Sequence, residues 1–270
     1  MPEFRPGSVW LVGAGPGDPG LLTLLAQHAL TLADAVVHDA LVDRRVLALA
    51  RPGALLIHAG KRGGKPSPRQ PDIARRLIRL AREGRRVLRL KGGDPLIFGR
   101  GGEEALALVA AGVPFRIVPG ITAALGAAAY AGIPLTHRRL AQTVTFVTGH
   151  TAGGADVDTI DWAAVARGSH VVVGYMALKH LASVTARLIA HGRNPDEPVA
   201  VIAEATTERQ RVVETTLAGA AADAAGLEPP ALVVVGEVAR LRAGLDWLGA
   251  LDGRVLDADP LRLALTRDTG

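Results

Sequence analysis

Short runs of consecutive apolar residues alternate along the chain with longer stretches in which apolar positions recur every three or four residues. Runs at 8–12 (SVWLV), 35–38 (AVVH), 54–58 (ALLIH), 86–90 (RVLRL) and 115–118 (FRIV) have strand length and strand composition. Between them the spacing predicts helices near 20–32, 42–50, 71–83, 101–111 and 121–131. Strands that are apolar throughout are covered on both faces, and helical crossovers between them make a sheet mostly parallel.

A second series repeats the pattern: strands at 143–148, 170–174, 198–203, 211–215 and 231–236, with helices near 161–167, 178–190, 217–225 and 238–250. Gly132 and Pro134 break the intervening helix ahead of a charged stretch, which makes 132–141 a joint. The expected organisation is two α/β domains, 8–137 and 138–250, each with a mixed or mostly parallel sheet, and a polar, mobile tail at 251–270. The uncharged stretch 117–136 is long enough to span a bilayer, but its prolines, glycines and alanines suit a buried helix with flanking turns better. The first ten residues lack the apolar region of a signal peptide, so a cytoplasmic protein is expected.

Composition narrows the chemistry. The chain has 270 residues, none of them cysteine, which excludes disulfides, thiolate catalysis and cysteine–zinc sites. Aromatic residues make up 3%, too few to build stacking platforms for single-stranded nucleic acid. Charge is uneven: residues 1–137 carry 18 Lys and Arg against 10 Asp and Glu, whereas the remainder carries 13 against 16. A basic half fits an anionic partner. Arg75, Arg76, Arg79, Arg82, Arg85 and Arg86 run along one predicted helix and beyond it, the pattern of a solvated face.

In parallel sheets ligands bind beyond the carboxyl ends of the strands. That rule selects four loops: 13–20 (GAGPGDPG), 38–44 (HDALVDR), 60–69 (GKRGGKPSPR) and 91–102 (KGGDPLIFGRGG). The first resembles a dinucleotide fingerprint, and Asp39 follows at a suitable remove for a ribose, so a nicotinamide oxidoreductase is one reading. Against it, Asp18 stands where the third glycine belongs and Pro16 lacks an amide donor. The third loop has one residue too few for a phosphate-binding P-loop and carries Pro66 in place of the hydroxyl. The fourth loop, with Gly92 and Gly93 beside Asp94, suits a flat ligand bearing positive charge, hydroxyls and an amine; S-adenosylmethionine has all of these.

Taken together, VGAGPGDPGLLTL, DALV, GKRGG, RLKGGDPLIFGRGGEE, VPGITAA, GIPLTHR, VTGH, YM and ALVVVGEVARL resemble the tetrapyrrole methylase family, in order, over residues 8–248. GKR, GRGGEE and PLTHR resemble its uroporphyrinogen branch. The resemblance implies a homodimeric enzyme of two α/β domains, with donor and substrate in the cleft between them. It implies methyl transfer from S-adenosylmethionine to C2 and then C7 of uroporphyrinogen III, giving precorrin-2, with later steps left to another protein. Matched motif by motif, Pro16, Gly92, Gly93, Asp94, Ile97, Thr122, Ala123, Met176 and Ala205 would line the donor. Asp39 and Lys61 match positions with proton acceptor and donor roles. Ala203 departs from the family pattern, which has an acidic residue there.

The implied substrate is rich in carboxylates, and this gives the basic first half a purpose. Arg44, Lys61, Arg62, Lys65 and Arg69 are the expected holders of those groups. His137 and His150 have no companions at ligand spacing; His137 is expected to contact substrate or cap a turn, and neither a metal nor nucleic acid is expected. Rival readings are a methylase acting later in corrin synthesis, the oxidoreductase above, and a cofactor sensor without turnover.

Overall fold

A computed structural model describes residues 1–59, 70–149 and 159–262 of the chain. They fall into two compact units, Met1–Gly126 and Ala127–Gly270.

The first unit has five strands, β1 (Val9–Gly13), β2 (Ala35–His38), β3 (Leu55–His58), β4 (Val87–Lys91) and β5 (Phe115–Val118), in the order β3-β2-β4-β1-β5. Every neighbouring pair is parallel. β1, β4 and the early part of β2 are wholly buried, as their unbroken apolar character requires. Its helices are α1 (Leu24–Leu32), α2 (Arg44–Leu47), α3 (Gln70–Arg82) and α4 (Gly101–Ala110), followed by α5 (Ala123–Tyr130), in which the division between units falls. One face of the sheet packs Trp10, Val12, Leu88 and Leu90 against Ala26, Ala29 and Leu30 of α1. The other packs Val9, Leu11 and Val87 against Leu77 and Leu80 of α3 and Ala105 and Leu108 of α4. The connections from the central pair β1 and β4 therefore leave over opposite faces, one to β2 and the other to β5.

The second unit holds β6 (Val144–Thr148), β7 (Val171–Tyr175), β8 (Pro198–Ala203), β9 (Arg211–Thr216) and β10 (Ala231–Val235), in the order β6-β7-β10-β8-β9. Only β6 and β7 are parallel; β10 runs against both β7 and β8, and β9 against β8, so this sheet is mixed. Its helices are α6 (Trp162–Gly168), α7 (Leu181–Ala190), α8 (Ala220–Asp223), α9 (Arg242–Leu245) and α10 (Trp247–Leu251). Leu181, Val184 and Leu188 of α7 pack with Trp162, Val172, Val201, Leu217 and Val233 into one core.

All ten expected strands form, within a residue or so at each end. Helices differ more, and capping side chains explain why. The stretch 20–32 splits because Thr23, in an extended conformation, accepts from the amide of Ala26 (3.1 Å) and starts α1 late. Asp246 likewise divides 238–250 by capping α10 through Gly249 N (3.2 Å). The end of α5 is tied into the second unit by three donors: Arg242 to Ala131 O (2.6 Å), Trp247 to Ala129 O (2.9 Å) and Gln210 to Tyr130 O (3.0 Å). Beyond α10, Asp257 N donates to Ala243 O (2.9 Å). Residues 117–136 resolve into the end of β5, the eight-residue α5 and turns. Among the described residues no helix is long and apolar enough to cross a membrane.

The arginine series is not uniform. Arg75 pairs with Asp72, and Arg79 and Arg85 pair with Glu83, all exposed. Arg86 instead grips Asp34, at 3.1 Å from each carboxylate oxygen and with its own amide at 2.8 Å, while Arg51 adds a contact of 2.5 Å. This cluster joins the start of β2 to the start of β4. The side-chain hydrogen bond from Arg86 holds the Asp34 carboxyl below its ordinary value, against the opposing effect of burial. A depressed carboxyl stabilises fully above its unfolded pKa, and that contribution is lost as the pH falls through the folded value. Asp34→Asn should therefore cost about 1–2 kcal/mol at neutral pH, with the deficit closing in acid. Thermal melts of both proteins across the acid range read this out; a deficit independent of pH would contradict it.

Candidate functional site

β1, β4 and β5 end level with one another, since Gly13 is in register with Lys91 and Val12 with Val118. The chain beyond each end is glycine-rich, and the three loops meet backbone to backbone. Gly15 and Gly93 exchange hydrogen bonds of 3.2 and 2.8 Å, an antiparallel bridge between the first and fourth loops, and Ala14 N donates to Lys91 O (2.7 Å). A Cβ on Gly13 would lie 2.5 Å from Gly93 O and 2.6 Å from Gly120 Cα; one on Gly120 would lie 2.4 Å from Gly93 O. No side chain fits there, and glycine is required by contact and not by dihedral angle. At Gly15 and Gly93 the requirement is the dihedral angle, with φ of 71° and 67°, since a Cβ at either would meet its neighbours only at ordinary contact distance.

Asp94 fastens this junction. One of its oxygens accepts from Leu96 N (2.8 Å) and the other from Gly120 N (3.0 Å), so the carboxylate expected to face a ligand also shapes the loop after β4 and ties it to the loop after β5. Past it, Leu96, Ile97 and Phe98 are exposed, and Phe98 and Arg100 have left-handed backbones at φ 51° and 58°. Three exposed apolar side chains on a strained turn fit a surface that a ligand covers. Thr122 is buried, and its carbonyl starts α5 by accepting from Leu125 and Gly126; Ala123 N lies 3.4 Å from the position of a Cβ on Gly93. Pro16, half-buried, lies in the loop after β1. The sheet edge of the first unit therefore brings together Pro16, Gly92, Gly93, Asp94, Ile97, Thr122 and Ala123.

Asp18 has a structural task. Its carboxylate accepts from Gly20 N (2.7 Å) and caps a single turn of 3-10 helix, Pro19–Leu21. The α-helix starts only at Leu24, and the amides of Ala14 and Gly15 are already bonded, so β1 does not run into a helix N-terminus offering free donors. This is the wrong shape for a pyrophosphate, and the oxidoreductase reading loses its footing.

Asp39 follows β2 on the same edge, its amide donating to Leu90 O (3.2 Å). Its side chain is 31% exposed and meets two buried cations of β4: Arg89 at 2.5 Å and Lys91 at 3.8 Å. Both cations also contact Glu104 of α4, at 3.1 and 3.2 Å. Burial pushes the Lys91 ammonium below its ordinary value, and nearby Arg89 acts the same way, with Asp39 and Glu104 opposing. The His38 imidazole donates to the Asp39 carbonyl (3.1 Å), and burial likewise lowers its pKa. Arg89, Lys91 and Glu104 escaped the sequence reading. The signal was visible in the alternation LRLK at 88–91: two cations two residues apart in a strand expected to be buried need a buried counter-charge.

Of the expected carboxylate holders, Lys61, Arg62, Lys65 and Arg69 lie outside the described residues, as does His150. Arg44 is exposed at the start of α2. His137, in the second unit, accepts at Nδ1 from Arg139 N (3.3 Å) and bridges to Ala141, which makes it a turn cap. The second unit has its own assembled edge. β7 and β8 both run against β10, so they point the same way, and Met176 and Ala205 follow their ends. Met176, Glu204 and Thr206 are all left-handed, at φ 52°, 47° and 64°. Thr206 is held there by its amide donating to Gln210 (2.8 Å). Strain of order 1–3 kcal/mol per residue persists where surroundings enforce it, as at binding sites. Among the described residues, no cluster of His, Asp and Glu could hold a metal ion.

Residues 8–221 match the family described as Tetrapyrrole (Corrin/Porphyrin) Methylases. The chain belongs to the tetrapyrrole methylases. It is 65% identical, over 99% of its length and 96% of the relative's, to a uroporphyrinogen-III C-methyltransferase from Sinorhizobium sp. It is 50% identical to a siroheme synthase of Methylobacillus flagellatus, matching 91% of this chain but 52% of that longer protein. Among solved structures, a uroporphyrin-III C-methyl transferase from Thermus thermophilus complexed with S-adenyl homocysteine is similar, with a TM-score of 0.77 and 43% identity over 87% of this chain and 99% of that one. The fold is that of this methylase family, with one parallel sheet and one mixed, within the expectation of mixed or mostly parallel sheets.

The glycine junction yields a test. Gly120→Ala should cost about 1–3 kcal/mol by forcing the loops after β1, β4 and β5 apart. Gly102→Ala, in α4 with open space around it, should leave stability unchanged or raise it. Denaturant melts compare the two; equal stabilities would mean the contact is not tight.

Proposed function

We propose that this tetrapyrrole methylase transfers methyl groups from S-adenosylmethionine to C2 and then C7 of uroporphyrinogen III, giving precorrin-2. One observation carries the reading: 65% identity along almost the whole chain to a uroporphyrinogen-III C-methyltransferase. The similar Thermus thermophilus structure, complexed with S-adenyl homocysteine, supports the choice of donor.

The first unit's edge fits such a donor on physical grounds. Its floor is bare backbone at Gly92 and Gly93, and its rim is Ile97 with Thr122 and Ala123. Met176 and Ala205 are assigned to the same donor by their motifs. Bound S-adenosylmethionine supplies an activated methyl group, so the protein's part is alignment and exclusion of water, worth on the order of 7–11 kcal/mol. A floor locked by backbone hydrogen bonds cannot shift, which serves alignment. Attack by an electron-rich pyrrole carbon leaves the macrocycle cationic until it loses a proton. Asp39, the one carboxylate of its charged group that reaches solvent, is the acceptor in this reading, and Lys61 the donor that rebalances protons. Arg44, Arg62, Lys65 and Arg69 hold the carboxylates.

The purified chain, incubated anaerobically with uroporphyrinogen III and methyl-labelled donor, should incorporate two labelled methyl groups into one product. Asp39→Asn should lower kcat by about 100-fold while S-adenosylhomocysteine binding, read by calorimetry, stays within about twofold. Incorporation only into a later, already methylated precorrin would contradict the substrate; an unchanged kcat would remove Asp39 from the mechanism.

A further inference from the structure

We propose that Arg89, with Glu104 and Lys91 behind it, is a positioning residue for Asp39: a buried group of four charges whose one exposed member is the proton acceptor. The inference rests on the reading of Asp39 given above.

β4 places the cations. Successive strand residues face opposite ways, so Val87, Arg89 and Lys91 share one face while Leu88 and Leu90 share the other. Leu88 and Leu90 pack with Trp10 and Val12 against α1. The opposite face is the one covered by α3 and α4, and there α4 supplies Glu104. Arg89, Lys91 and Glu104 have side chains 2%, 3% and 0% exposed, against 31% for Asp39. Two cations and two carboxylates balance, which such burial demands. Arg89 is the bridge. Its Nε donates to Glu104 (3.1 Å) and its terminal nitrogens to Asp39 (2.5 Å) and to the carbonyls of Val37 and Leu90 (3.4 and 3.3 Å). Four bonds to three elements fix the guanidinium plane, and a fixed plane fixes the carboxylate bound to it. Lys91 completes the arrangement, at 3.2 Å from Glu104 and 3.8 Å from Asp39. Stability alone does not call for this geometry, since well-packed apolar residues of similar volume often serve a core as well as buried ion pairs. The network ends at the strand edge, on the residue that needs a constant orientation toward a proton.

The test is a double-mutant cycle. Arg89→Lys keeps the charge but cannot span Glu104 and Asp39; Glu104→Gln keeps the shape and, wholly buried, touches no substrate. Each should lower kcat for the first methyl transfer about tenfold or more, with KM for the donor and S-adenosylhomocysteine affinity within about twofold. In an Asp39→Asn background, either change should lower kcat by less than about twofold, because its effect runs through Asp39. Two variants are used so that one that fails to give a cooperative melt does not end the test. Full kcat in both, with Asp39→Asn still slow, would overturn the inference and leave the Asp39 reading standing. Losses that multiply fully in the Asp39→Asn background would overturn it too, since the network would then act on structure generally. Full kcat in Asp39→Asn itself would defeat the reading and the inference together.

Discussion

Three glycines in contact hold together the edge of the first unit at which β1, β4 and β5 end. Gly13, Gly93 and Gly120 end or follow β1, β4 and β5, and their backbones approach so closely that no side chain could stand between them. The rest of that edge hangs from this contact. The bridge of Gly15 to Gly93 and the Asp94 link to Gly120 close it from either side. The exposed turn 96–98 and the start of α5 are then placed by loops that cannot slide. Where chemistry consists of lining up a carbon with a methyl group, a rigid floor is the main thing a protein can supply.

Charge is arranged on the same principle. The first unit buries a balanced group on the α3 and α4 face of β4 and lets one carboxylate reach the edge. The second unit reaches a comparable end by strain, with Met176, Glu204 and Thr206 in left-handed conformations at the ends of β7 and β8. Asp34, clasped by Arg86 and Arg51 at the far ends of β2 and β4, belongs to the scaffold and not to the site.

Much of this was legible in the chain. Ten apolar runs marked ten strands, because burial on both faces leaves a signal that needs no partner to read. The strand-end rule then selected loops after β1, β2 and β4 that lie along one edge of the first sheet. What escaped was set by single capping bonds and by contacts distant in sequence. Thr23 and Asp246 cut helices that periodicity ran together, since one capping oxygen outweighs a weak continuation of pattern. Asp18, out of place in a dinucleotide fingerprint, proved a cap. Arg89 and Glu104 lie 15 residues apart and meet only because α4 folds back over β4. The pairing of β10 between β7 and β8 was equally invisible, since apolar runs record burial and not direction.

The account stands most directly on where the donor lies. A crystal structure of the chain with S-adenosylhomocysteine should show the nucleoside and amino-acid portions against Gly92–Asp94, Ile97 and Thr122–Ala123, with the glycine junction unmoved. Density for the nucleoside elsewhere, with that edge bare, would contradict it.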